Sequence, residues 1–386
     1  MITKLHSSRP LSLRAFSTSP ISLANRAIIF PKAGNPADVL QAQTYPSLPP
    51  PTPHSINVRY RFSPINPADI NVIEGKYPAK PTQVNDLAGF KFDNGGVFVG
   101  GNEGLAVVTE VGESVEGLKK GDRVVMSKPQ SGTWRSASAL DVKDVMKVPD
   151  EASDGFAATM TVNLATAYNM LNDFVDLKEG DWVIQNGANS AVGQAVIQIA
   201  AHRGLKTLNF VRNRKNFDEL KSQLTNLGAT QVITYDELAP DSFKDLRSKV
   251  QQWTGGNPIR LFLNCVSGPT TTSLLRLLGK DAHLVSYGAM SKEPLSMPTS
   301  LFIFKNLTCH GFWQSRWYED ATEEEKRELV EKLVGLKLKE AEHEVLTIPA
   351  GDSDGVATEK VRDVVRKLAK GQYGKKVLLN IEQPVD

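Results

Sequence analysis

The stretch Gly180-Asp181-Trp182-Val183-Ile184-Gln185-Asn186-Gly187-Ala188-Asn189-Ser190-Ala191-Val192-Gly193, continuing through Gln194 to Gly204, decides the fold. Trp182, Val183 and Ile184 form the short apolar run of a buried strand. Asn186 to Ser190 supply turn chemistry, and Ala191 to Ala201 carries apolar residues at helical spacing. A strand feeding a small-residue turn at a helix N-terminus turns free backbone N–H groups and the positive end of the helix dipole toward one ligand. The expected ligand is a dinucleotide pyrophosphate. The strict G-x-G-x-x-G spacing is not met: aligned on Gly193, its glycine positions hold Ala188, Ser190 and Gly193. Ser190 can offer phosphate a hydroxyl, and Gly193 can let the helix pack closely on the strand.

Outward from this unit the chain alternates strand and helix. Strands are expected at 181–185, 206–211, 230–233, 260–264, 282–287 and 306–310, with helices at 214–226, 241–253 and 269–279 between them. That rhythm predicts an α/β doubly wound parallel sheet with its ligand at the carboxyl ends of the strands. The second strand ends in Arg212-Asn213-Arg214, where an NAD protein carries an acid for the ribose hydroxyls. Two guanidinium groups suit a 2′-phosphate, so NADPH is the expected cofactor. The fifth strand ends in Ser286-Tyr287-Gly288-Ala289-Met290 and the sixth in Gly311-Phe312-Trp313-Gln314. Both ends are expected on the nicotinamide side of the cleft, although a Trp is more commonly core.

Upstream, residues 23–160 read as β-rich. A Pro-rich connection spans Pro46 to Pro53, a short helix is expected around Ile70 to Ile73, and a loop covers Gly75 to Pro81. After a charged helix, Ala321 to Lys339, a tail of strand, helix and strand (345–348, 358–370, 376–381) is too small to stand alone. It is expected to rejoin the first domain. The expected division is therefore a leader at 1–22, a β-rich domain at 23–160 completed by 345–386, and a nucleotide domain at 161–344.

With 386 residues there is enough chain for two sizeable cores. The formal charge of +2 gives no general reason to expect nucleic acid as the main partner. Cys265 and Cys309 are the only cysteines; they exclude a disulfide framework and a Cys-rich zinc site, and both are expected to be buried small hydrophobes. No apolar run is long enough to span a membrane. Met1 to Ala37 holds no acidic residue but Lys4, Arg9, Arg14, Arg26 and Lys32, with dense Ser and Thr between Ser7 and Ser22. This is transit-peptide composition.

Three stretches resemble a known family. The segment P-I-N-P-A-D-I-N-V-I-E-G-K-Y-P (64–78) looks like the active-site segment of mitochondrial 2-enoyl thioester reductases, although related quinone reductases carry a similar one. N-G-A-N-S-A-V-G-Q-A-V-I-Q-I-A-A (186–201) is similar to their cofactor turn, and G-F-W-Q-S-R-W (311–317) to their Trp-bearing loop. The family belongs to the medium-chain dehydrogenase/reductase superfamily, and the resemblance covers essentially the whole chain after residue 22.

The resemblance implies a Rossmann sheet inserted in a β-rich GroES-like catalytic domain. It implies a homodimer formed through the nucleotide domains, in the mitochondrial matrix. The implied activity is NADPH-dependent reduction of enoyl thioesters of acyl carrier protein or CoA, a step of fatty-acid synthesis. By the same resemblance Tyr77 is the proton donor. The cofactor contacts are Asn163; Ser190, Ala191, Val192 and Gly193; Arg212, Asn213 and Arg214; Tyr287, Gly288, Ala289 and Met290; Phe312, Trp313 and Gln314; and Lys375, with Lys376 beside it. Zinc-dependent relatives carry Gly-His-Glu where this chain has Gly101-Asn102-Glu103-Gly104, so no metal is expected. The alternatives are an NADPH:quinone oxidoreductase on the same fold and a non-catalytic NADPH-binding protein; Tyr77 and Trp313 argue against the latter.

Overall fold

Trp182–Asn186 lies at the centre of a six-stranded parallel sheet in the computed structural model, which describes residues 24–384 other than 94 and 374. The expected leader at 1–22 lies outside the described residues. The strand order is Gln231–Thr234, Lys206–Val211, Trp182–Asn186, Ile259–Asn264, His283–Ser286, Thr308–Gly311. Each strand begins and ends within two residues of its expected place. The order reverses between Trp182–Asn186 and Ile259–Asn264, and such a switch point leaves a crevice at the carboxyl ends.

Both faces of the sheet are covered, and successive residues serve opposite faces. Ile184, Phe210, Phe262 and Leu284 pack with Leu246 and Leu274 on one side. Val183, Leu261, Leu263 and Val285 pack with Val196, Ile199 and Met170 on the other.

The second large sheet takes Ser55–Pro64 as its spine. Leu105–Val111 and Ala137–Asp141 pair with it antiparallel, and Arg123–Met126 and Val145–Lys147 extend the ladder. The end of the chain closes this sheet. Lys376–Ile381 pairs antiparallel with the spine at Leu378–Pro64 and Leu379–Ser63, and His343–Ile348 runs parallel to it.

Two features depart from expectation. Between the sheets the chain forms three consecutive helical pieces: Asp154–Thr159, a π-helical turn at Met160–Leu164, and Ala165–Asn172. The strand–helix rhythm did not resolve them. A π turn inserts one residue into the ladder and re-aims the side chains around it. The second departure is Cys309, which is exposed, whereas Cys265 is buried. Cys309 sits on Thr308–Gly311, the edge strand of the parallel sheet, whose residues are mostly exposed.

Candidate functional site

A cleft of about 1070 Å³ runs between the two large sheets, with the carboxyl ends of the parallel strands as one wall. The turn after Trp182–Asn186 leads directly to it. Gly187 adopts the left-handed backbone region (φ 61°) and its N–H donates to the Tyr235 hydroxyl at 2.9 Å. Ser190 caps the helix Ala191–His202: its Oγ accepts from the Gly193 N–H at 3.1 Å. The Ala191 and Val192 amides line the cleft with no acceptor among the described residues. Gly193 does not line the cleft itself. A Cβ there would lie 2.5 Å from the Ala188 carbonyl oxygen, so glycine permits the helix to sit tight on the turn.

The basic pair divides. Arg214 is half-buried, lines the cleft and holds its Nε sealed from solvent without a partner; Arg212 and Asn213 are exposed and do not line the cleft. Asn213 donates to Asp236 Oδ2 at 2.5 Å. Across the cleft, Tyr287, Gly288, Ala289 and Met290 follow the fifth strand, and Phe312, Trp313 and Gln314 follow the sixth; all line the cavity. The Tyr287 N–H bonds to Asn264 O and the Phe312 N–H to Ser286 O, both at 2.9 Å, so each loop is pinned to the neighbouring strand end.

Tyr77 reaches the same cleft from the other sheet. The helix Pro67–Ile73 starts at Asn66, with Pro67 at its first position, and stops at Gly75 (φ 73°). The loop that follows puts the Tyr77 ring edge-on to Trp313, with centroids 6.0 Å apart at 77°. Trp313 Nε1–H donates to the Tyr77 hydroxyl oxygen at 2.7 Å. An indole N–H can only donate, so the tyrosine oxygen accepts and its own proton is free to point elsewhere. Burial pushes the Tyr77 pKa up, the Trp313 hydrogen bond opposes this, and Asp69 adds to the rise. At neutral pH the phenol therefore keeps its proton.

Beneath Tyr77 lies a buried polar network that the sequence analysis did not name as such. Glu103 is 1% exposed and takes four donors: Asn66 Nδ2 (2.7 Å), Asn163 Nδ2 (3.2 Å), the Val162 N–H (2.9 Å) and Thr161 Oγ1 (3.2 Å). The π turn brings Thr161, Val162 and Asn163 onto this one carboxylate. Lys376 Nζ donates to Asn66 Oδ1, whereas Lys375 pairs with Glu342 at 3.2 Å on the exposed rim. Both lysines line the cleft. The stretch Gly101–Gly104, read only as lacking zinc ligands, was the available sequence signal for Glu103.

Two large sheets, a six-stranded parallel one with a glycine-containing turn at its switch point and a β-rich one completed by the chain end, define the class: two-domain dehydrogenase/reductases. Residues 52–164 match the family described as alcohol dehydrogenase GroES-like domain, and residues 191–334 the one described as zinc-binding dehydrogenase. A curated protein of Yarrowia lipolytica, "Enoyl-[acyl-carrier-protein] reductase, mitochondrial", is 39% identical over 98% of this chain and 99% of its own length. The solved Etr1p/NADP/crotonyl-CoA complex superimposes with a TM-score of 0.85 at 32% identity, covering 93% of this chain and all of that one. A mitochondrial 2-enoyl thioester reductase Etr1p/Etr2p heterodimer from Candida tropicalis gives 0.83 at 32% identity, with 93% and 100% coverage. The chain belongs to the mitochondrial enoyl-[acyl-carrier-protein] reductase family.

The word zinc in one family description does not fit this site. Among the described residues no group of three or more His, Cys, Asp or Glu side chains is placed to hold a metal. Glu103, the acid of the corresponding stretch, is committed to its four donors. NADPH does fit: the N-terminal turn of the helix Ala191–His202 and Arg214, whose buried guanidinium Nε has no partner, line a cavity large enough for it.

Proposed function

We propose that the protein reduces trans-2-enoyl thioesters of acyl carrier protein or CoA with NADPH in the mitochondrial matrix, as a step of fatty-acid synthesis. The observation that carries this reading is the Trp313–Tyr77 hydrogen bond across the cleft, which sets a protonated phenol opposite the strand ends expected to hold the nicotinamide. When bound, NADPH supplies the hydride for the β-carbon. Tyr77 gives its proton to the α-carbon, and the Trp313 N–H stabilises the phenolate left behind. Ser190 to Gly193 hold the pyrophosphate, with Gly193 acting through its close packing. Arg212, Asn213 and Arg214 hold the adenosine phosphate, with Asn213 engaging Asp236. Asn163, Tyr287 to Met290, Phe312 to Gln314 and a lysine of the 375–376 pair line the nicotinamide end.

The proposed division into 23–160 with 345–386, and 161–344, is supported by sheet membership, since the chain end pairs with Ser55–Pro64. A homodimer through the parallel sheets is supported by the open edge strand Thr308–Gly311. The exposed Ile303 and Phe304 lie on the adjoining helix. The basic, acid-free leader supports mitochondrial import.

The experiment is NADPH oxidation with crotonyl- and hexenoyl-thioesters beside a quinone control. Thioester turnover is expected. Quinone turnover without thioester turnover would make the protein a quinone oxidoreductase instead.

A further inference from the structure

Two buried carboxyl groups, Glu103 and Asp69, and the half-buried amine of Lys376, which lines the cleft, form a cluster behind the cleft wall, and the reaction as proposed uses none of their protons. Asn66 is its hub. The Asn66 backbone N–H donates to Asp69 Oδ2 at 2.7 Å, its Nδ2 to Glu103, and its Oδ1 accepts from Lys376. The two acids are unequally served. Glu103 has four donors, which suits a carboxylate. Asp69 is 2% exposed, and its Oδ1 is sealed from solvent without a hydrogen bond of normal geometry. With one ammonium shared by two buried acids, the poorly served one keeps its proton more readily.

We propose that Asp69 gives up a proton when the oxidised, cationic nicotinamide occupies the cleft and retains it when the neutral, reduced ring does, so that this cluster sets the relative affinity for the two redox states of the cofactor. The inference rests on the proposed placement of the nicotinamide beside Tyr77, Asn163 and Gln314. Asp69 is electrostatically coupled to that end of the cleft: its charge raises the Tyr77 pKa. The groups facing Asp69 are Lys376 from the Lys376–Ile381 strand, Glu103 and the Asn102 backbone from the loop before Leu105, and Tyr77 from the loop after its own helix. Burial raises the Asp69 pKa to about 7, with Glu103 adding to the rise and Lys376 and the Asn66 and Asn102 amides opposing it. The proton is thus exchangeable at working pH. The balance is simple: the proton released to solvent on binding NADP⁺ is taken back when NADP⁺ leaves.

The test measures dissociation constants of NADP⁺ and NADPH for the full-length protein between pH 5.5 and 8.5. The 2′-phosphate, whose second ionisation lies near about 6, is common to both nucleotides and cancels in their ratio. The ratio Kd(NADP⁺)/Kd(NADPH) is expected to fall several-fold as pH rises through 7, and by no more than about tenfold per pH unit. Asp69→Asn keeps an oxygen to accept from the Asn66 N–H, and its ratio is expected to stay flat. A flat ratio in the unmodified protein, or an unchanged slope in Asp69→Asn, would overturn the inference. Failure to bind either nucleotide would overturn the proposed function and this inference together, whereas tight binding of both at a pH-independent ratio would overturn this inference alone.

Discussion

Replacing Tyr77 with Phe deletes a single oxygen, and the structure separates its two consequences. The first is structural. Trp313 Nε1–H loses its acceptor at 2.7 Å, but both rings are half-buried and water can serve the freed N–H. The edge-on ring contact at 6.0 Å survives. A net loss of about 0.5–1.5 kcal/mol of stability follows from one hydrogen bond. The second is chemical. Without the phenol, the α-carbon must take its proton from water, and a positioned general acid is worth roughly 10²–10⁴-fold in rate. At about 1.36 kcal/mol per factor of ten, that is about 2.7–5.4 kcal/mol of barrier. The kinetic effect therefore exceeds the structural one. In a steady-state assay with hexenoyl-thioester, kcat is expected to drop by that factor while the NADPH dissociation constant changes by less than about threefold. Trp313→Phe keeps the phenol but removes the donor that stabilises the phenolate, and its kcat is expected to fall less, by about tenfold. A Tyr77→Phe enzyme turning over within about threefold of the unmodified protein would remove Tyr77 from the proton-transfer step.

Replacing Arg212 and Arg214 together with Ala should narrow the preference for NADPH over NADH by about ten- to a hundredfold, the worth of one charge-assisted hydrogen bond or slightly more; an unmoved NADPH/NADH ratio would place the phosphate site elsewhere. Asp69 also couples to stability. Its folded pKa of about 7 lies above its ordinary 3.8, so the bound proton stabilises the fold fully at acid pH and that contribution is lost as pH rises through 7. Chemical denaturation of the cofactor-free protein should therefore show stability falling by up to about 1.4 kcal/mol per pH unit between pH 5 and 7 relative to Asp69→Asn, then levelling. Parallel curves for the two proteins would contradict this. Deleting residues 1–22 should leave activity in vitro intact and relocate the protein to the cytosol, as fractionation would read; continued import would refute the leader assignment.

The parallel sheet was legible because each of its signals is local. An apolar run such as Trp182–Ile184 is bounded by turn residues, and the helix after it repeats at its own period, so alternation survives in a single sequence. The strand end also located Arg214, which lines the cleft, whereas Arg212, two residues earlier, is exposed and outside its lining. The polar cluster was not legible. Asn66, Glu103, Asn163 and Lys376 come from four distant parts of the chain: the pairing of Ser55–Pro64 with Leu105–Val111 brings Asn66 to Glu103, the π turn adds Asn163, and the closure of Lys376–Ile381 onto Ser55–Pro64 adds Lys376. The π turn that aims Thr161, Val162 and Asn163 at one carboxylate has no side-chain period of its own to read. The lysine pair shows the limit most sharply. Adjacent residues entering a strand point to opposite faces, so a register error of one residue exchanges inside for outside. Composition cannot choose between Lys375 and Lys376. The structure distinguishes them by what each holds: Lys375 has an exposed glutamate at the rim, and Lys376 has the asparagine on which both buried acids depend.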